Sequence, residues 1–179
     1  WVYSRHTKEQ VHQMKQLDRI FDRIRERLNA EQRRAVETIE GPVLVIHQPD
    51  ALLDAAATAL DAMVHAIEGY TTAGAVEMTD MMNLKAVEVI ARSLRAACNN
   101  DPKGREDMAL GQYLTGMGFS NVGLGIVHSM AHPLSAVYDI PHGKACAMML
   151  TAVLKYNAEA TGEKYREIAR AMGVKGVDA

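Results

Sequence analysis

The residues of this chain best equipped for chemistry are a carboxylate and histidines at four-residue spacing. "ALDAMVHAIEGY" holds Asp61 and His65, and "GIVHSMAHPLSAVYDIPHG", residues 125 to 143, holds His128, His132 and His142. Side chains four apart on a helix share one face, one turn apart. An imidazole set among Val, Met, Leu and Ala needs a partner, because an unpaired polar group in an apolar site is unfavourable. Taken alone, Asp61 and His65 read as a hydrogen-bonded pair inside a helical core. The second cluster changes that reading. It repeats the spacing on another segment, with Pro133 directly after His132, and places His142 at the entry of a third. One aspartate and several histidines can then converge from three segments. One carboxylate with three neutral imidazoles suits a borderline divalent metal such as Fe2+, Zn2+, Co2+ or Mn2+. Such a metal would act as a Lewis acid toward one substrate oxygen.

The elements that must position these residues are helices. The spacing predicts helices over 51–70, 76–98, 105–117, 123–138, 143–158 and 162–172, broken at "TTAGA", "NNDPKG", "GFSNVGLG", "DIPHG" and "ATG". Two Phe and one Trp against eleven Met favour a mainly α core of aliphatic side chains over a β-sandwich. Ahead of this region, residues 7–28 carry one apolar stripe on a charged helix, Val11, Met14, Leu17, Phe21, Ile24 and Leu28. Asn29 caps a short helix to about Ile39, Gly41-Pro42 ends it, and "VLVI", residues 43–46, reads as one short strand. The composition changes at "HQPD". Two units follow: 1–49, a helical leader with a short strand, and 50–179, a helical metal-binding domain.

Net charge of −2 gives no global footprint for nucleic acid, and no run approaches the ~20 apolar residues of a membrane span. Neither a membrane nor a nucleic acid is expected as partner. Cys98 and Cys146 lie far apart in no metal-like spacing, so neither is expected in the cluster. Both read as buried small hydrophobes in a cytoplasmic, reducing setting. Met78, Met81 and Met82 read as helix core. Glu68 and Tyr70, just after the first pair, are candidates to support a ligand from behind.

Three stretches carry a family resemblance: "AATALDAMVHAIEGY", "GFSNVGLGIVHSMAHPLSAVYDIPHGKA" and "TGEKYREIARAMGV". They resemble the iron-containing (group III) alcohol dehydrogenases, in the lactaldehyde reductase or propanediol oxidoreductase branch, over about residues 51–176. The resemblance implies the helical domain of dehydroquinate synthase and iron alcohol dehydrogenase type. It implies Asp61, His65, His128 and His142 as metal ligands, with Fe2+ as the metal and Zn2+ as the substitute. It implies His132 as the residue handling substrate or its proton, and Phe119 as a lining of the substrate pocket. NAD and a small alcohol or aldehyde are the implied reactants, and a homo-oligomer the implied assembly. A small departure sits beside a ligand, where the family's Gly is Ala59.

The family's dinucleotide-binding domain has no counterpart here: there is no G-x-G-x-x-G and no βαβ series. The chain, which begins at Trp1, is therefore expected to be truncated or chimeric, and inactive alone. Residues 28–46, "LNAEQRRAVETIEGPVLVI", are similar to the N-terminal segment of superfamily-one DNA helicases, where a glutamine matching Gln32 contacts adenine. Ile46 runs into "HQPDALL" rather than a phosphate-binding loop, which excludes ATP hydrolysis as the expected activity. Against the dehydrogenase reading stands a non-catalytic helical interaction or oligomerisation protein with a structural or vestigial metal site.

Overall fold

A computed structural model describes residues 52–177. The expected leader helices, the strand at 43–46 and the helicase-like segment lie outside the described residues. Six helices are described: α1 Leu52–Thr71, α2 Glu77–Cys98, α3 Pro102–Phe119, α4 Ile126–Tyr138, α5 His142–Thr161 and α6 Lys164–Ala171. There is no strand among the described residues.

Helix α1 is apolar nearly all round, and such a helix belongs in the interior. One side of it, Ala62, Met63, Ala66, Ile67 and Tyr70, packs with Ala86, Val87 and Ile90 of α2 and Ile168 of α6. The other side brings Val64 against Val127 and Ala131 of α4 and Ala145, Cys146 and Val153 of α5. The same helix therefore serves two cores, and its polar face at Asp61 and His65 is held rigid between them.

The helix ends differ from expectation where capping outweighs periodicity. Helix α3 begins three residues early because Asp101 caps it, its Oδ2 accepting the Gly104 N–H at 2.7 Å, with Pro102 in the first turn. Helix α4 begins three residues late, with Gly123 at φ 82 in the left-handed region ahead of it. It ends at Asp139, also left-handed at φ 56, a conformation Asp tolerates better than most side chains. Ile140 and Pro141 then lead directly into α5. This short link returns the chain so that His142, the first residue of α5, faces the same site as α4. Pro133 sits inside α4. It leaves the Ser129 carbonyl without its helical N–H, and Ser129 is exposed to water.

Two expectations about α2 and α1 are corrected. Met78 and Met81 are not core: they are 62 % and 66 % exposed, on the outer face of α2. Tyr70 does not back the histidines. Its hydroxyl donates to Glu167 of α6, and Lys164 donates to the Tyr70 carbonyl at 2.6 Å while lying over the ring. Lys164 also pairs with Asp80 at 3.2 Å, so this polar clasp fixes α6 across α1 and α2.

Candidate metal centre

Each of three helices presents a pair of residues four apart to one point: Asp61 and His65 from α1, His128 and His132 from α4, His142 and Cys146 from α5. His128 Nε2 lies 3.6 Å and His142 Nε2 lies 3.5 Å from Asp61 Oδ1. Cys146 Sγ lies 3.6 Å from His142 Nε2. One ligand atom from each of Asp61, His128, His142 and Cys146 falls within 4.8 Å of all the others.

These separations are too long for N–H···O hydrogen bonds. Donors roughly 2.1 Å from a common tetrahedral centre stand about 3.4 Å apart, so the edges fit coordination instead. Burial supports that fit. Asp61 Oδ1 and His128 Nε2 are buried and have no hydrogen-bond partner among the described residues, and His128 is 1 % exposed. Buried polar atoms are nearly always paired. A divalent ion between them would satisfy both, and the donor set of carboxylate and imidazoles is one such ions accept.

Glu68 explains how His128 is aimed. Its Oε2 accepts from His128 Nδ1 at 2.7 Å, which fixes the ring and, in the neutral imidazole, leaves Nε2 with the lone pair. Its Oε1 accepts the Val127 N–H at 2.7 Å. A side chain of α1 thus caps α4, satisfying an amide left open in the first turn. Gly125 makes the approach possible, since a Cβ there would stand 2.7 Å from Glu68 Oε1. Glu68 thus stands behind His128, one of the residues expected to bind metal.

His65 is oriented by its own helix, Nδ1 donating to the Asp61 carbonyl oxygen at 2.8 Å. Its ring lies 4.0 Å from that of His128 and 4.5 Å from that of Phe119. The structure therefore brings Phe119 to the site through His65, but does not place His65 within the four-atom group. His132 is exposed at the rim, its ring stacked on His142 at 5.1 Å and edge-on to His128 at 5.9 Å.

The electrostatics follow from burial and close neighbours. Burial would raise the Asp61 carboxyl, but the adjoining imidazoles of His128 and His65 hold it below its ordinary value. Burial depresses His65, which favours the neutral imidazole a metal requires. For His128 burial works downward, but the Asp61 and Glu68 carboxylates prevail and raise it to about 9.

Cys146 corrects the expectation that no cysteine joins the cluster. It is fully buried, and burial together with the Asp61 charge pushes its thiol up to about 12. The signal was present in the sequence. His142 and Cys146 have the same four-residue spacing that singled out the other pairs.

This fold and site define a class, and comparison with known proteins agrees. Residues 55–179 match the Fe-containing alcohol dehydrogenase family, C-terminal, and the chain belongs to that family. It is 61% identical over 120 residues to lactaldehyde reductase of Escherichia coli, a match covering 67% of this chain and 31% of the reductase. It is 44% identical over 138 residues to 1,3-propanediol dehydrogenase of Klebsiella pneumoniae, covering 76% of this chain and 35% of that enzyme. A crystal structure of 1,3-propanediol oxidoreductase superposes with TM-score 0.68 at 42% identity, over 71% of this chain and 34% of that one. The chain thus spans about a third of the length of the curated relatives it matches. No helix among the described residues is long and apolar enough to cross a membrane.

Proposed function

We propose that this chain supplies the metal-binding half of an NAD-linked oxidoreductase that interconverts a small alcohol or diol with its aldehyde, in the manner of a lactaldehyde reductase. The observation that carries the reading is the buried, unpartnered pair Asp61 Oδ1 and His128 Nε2, with His142 Nε2 beside them. Asp61, His65, His128 and His142 would hold Fe2+. When bound, the iron supplies Lewis acidity toward a substrate oxygen, and a nicotinamide supplies or accepts the hydride.

The chain's own residues divide the remaining work. Asp61 brings the negative charge that retains a dication among neutral rings. Glu68 fixes the His128 tautomer. The Phe119 ring, tilted against His65, offers an apolar wall to the carbon chain of a substrate and limits water there. His132 is exposed and adjacent, which suits a group that exchanges the alcohol proton with solvent at its imidazole nitrogen.

This division is tested by anaerobic Fe2+ titration of Asp61→Ala and His132→Ala beside wild type. Asp61→Ala is expected to lose binding, and His132→Ala to retain it within about threefold, below the 10–100-fold loss typical even of a residue that orients a ligand. Loss of iron in both variants would contradict the separate role of His132.

A second reading has one observation in its favour. Cys146 completes a set of four donors without an open position, as structural metal sites do. On that reading the helices form an interaction module stabilised by metal.

A further inference from the structure

We propose that Cys146 is a metal ligand, so that the centre of this chain binds divalent metal through one sulfur as well as carboxylate and imidazole. The inference rests on the metal-site reading above and changes its donor set, with Cys146 joining Asp61, His128 and His142 in the place given there to His65. Three observations support it. First, Cys146 stands one helical turn after His142 on α5, so both side chains leave the same face of the same helix. Second, its Sγ belongs to the group whose ligand atoms all lie within 4.8 Å of one another, a group that does not include His65. Third, Asp61 Oδ1 and the 1 % exposed His128 offer buried ligand atoms without partners to the same space.

The distances fit a ligand as well as they fit the thiol–imidazole hydrogen bond between Cys146 and His142. Around a tetrahedral ion, sulfur at roughly 2.3 Å and nitrogen at roughly 2.05 Å stand about 3.6 Å apart. The Cys146 Sγ to His142 Nε2 separation is 3.6 Å. The Asp61 to His142 and Asp61 to His128 edges are 3.5 Å and 3.6 Å, close to what nitrogen and oxygen donors require. Ligation breaks the S–H bond heterolytically. The sulfur electron pair goes to the metal and the proton to the buffer, with no change of oxidation state. A sulfur donor is soft, so it shifts preference away from Fe2+ and toward Zn2+. With Asp61, His128 and His142 it closes a tetrahedral set and leaves no position for a substrate oxygen, which ties metal choice to whether the site is catalytic.

The test is X-ray absorption at the zinc edge on the full chain loaded with one equivalent of Zn2+, with cobalt substitution in parallel. The expected result is one sulfur scatterer at about 2.3 Å. A sulfur-to-cobalt charge-transfer band should also appear in the near ultraviolet. Cys146→Ser should lose both signals and Cys98→Ser should keep both, with helix content checked by circular dichroism. Metal bound through nitrogen and oxygen alone in the wild type would overturn the inference and leave the metal-site reading standing. No metal uptake by wild type would overturn both. The wild-type spectrum decides the matter even if Cys146→Ser does not fold.

Discussion

Glu68 shows how one residue can be decisive without touching a substrate. It binds His128 Nδ1 and the first-turn amide of Val127 from a helix about sixty residues earlier in the chain. Replacing it with glutamine keeps its size but removes the charge and exchanges one oxygen for an amide donor. That donor would face either His128 Nδ1–H or the Val127 N–H, so one bond must fail. Glu68→Gln is expected to weaken metal binding about 10–100-fold with the helices intact. Competition against a calibrated chelator measures this, and an unchanged affinity would show that Glu68 does not orient a ligand. At this scale the sequence was partly legible. The i, i+4 pairs exposed Asp61, His65, His128 and His132, because helical periodicity alone puts such pairs on one face. Cys146 escaped because a thiol reads equally as a small hydrophobe. Tyr70 was misassigned because its partner, Glu167, lies 97 residues away and no local pattern encodes that contact.

Helices are the scale at which the site is assembled, and their close approaches are sensitive to single methyl groups. Where α5 meets α1, a Cβ on Gly143 would stand 2.1 Å from the Ala57 carbonyl oxygen. That obstacle is backbone, so one helix must move. Gly143→Ala is expected to cost about 1–3 kcal/mol and to shift the adjacent His142. Gly116 of α3 is the control, since a Cβ there meets nothing within 4 Å. Gly116→Ala should stabilise by about 0.5–1 kcal/mol through helix propensity. Thermal unfolding of the two variants should therefore move in opposite directions, and equal shifts would contradict the packing of α5 on α1.

The clasp that holds α6 gives a pH signature at the same scale. Burial, then the Glu167 carboxylate, raises the Tyr70 hydroxyl above its ordinary value of 10.0. The folded state therefore keeps this proton more tightly than the unfolded chain does. The contribution is complete below about pH 10 and declines as pH rises beyond it. Tyr70→Phe should destabilise by about 1–3 kcal/mol at neutral pH, with the difference from wild type shrinking above about pH 10. Urea unfolding at several pH values reads this directly, and a gap that grows in alkali would have the wrong sign. Most helices were legible because the 3.6-residue period survives in α1 and α2. Their ends were less so, since Asp101-Pro102 and Gly123 act through backbone geometry that apolar periodicity does not contain.

For the whole molecule, the question is why buried imidazoles and a carboxylate converge on one point from three helices. A hydrogen-bonded core would have paired Asp61 Oδ1 with His128 Nε2 at less than the 3.6 Å observed. An ion between them accounts for the spacing, the missing partners and the family to which the chain belongs. The most direct measurement is metal content by elemental analysis after anaerobic purification, on wild type and His128→Ala together. About one iron or zinc per wild-type chain is expected, the stoichiometry of a single four-donor site, and near none in the variant at equal helix content. Wild-type protein that holds no divalent metal, or a variant that retains it fully, would contradict the account.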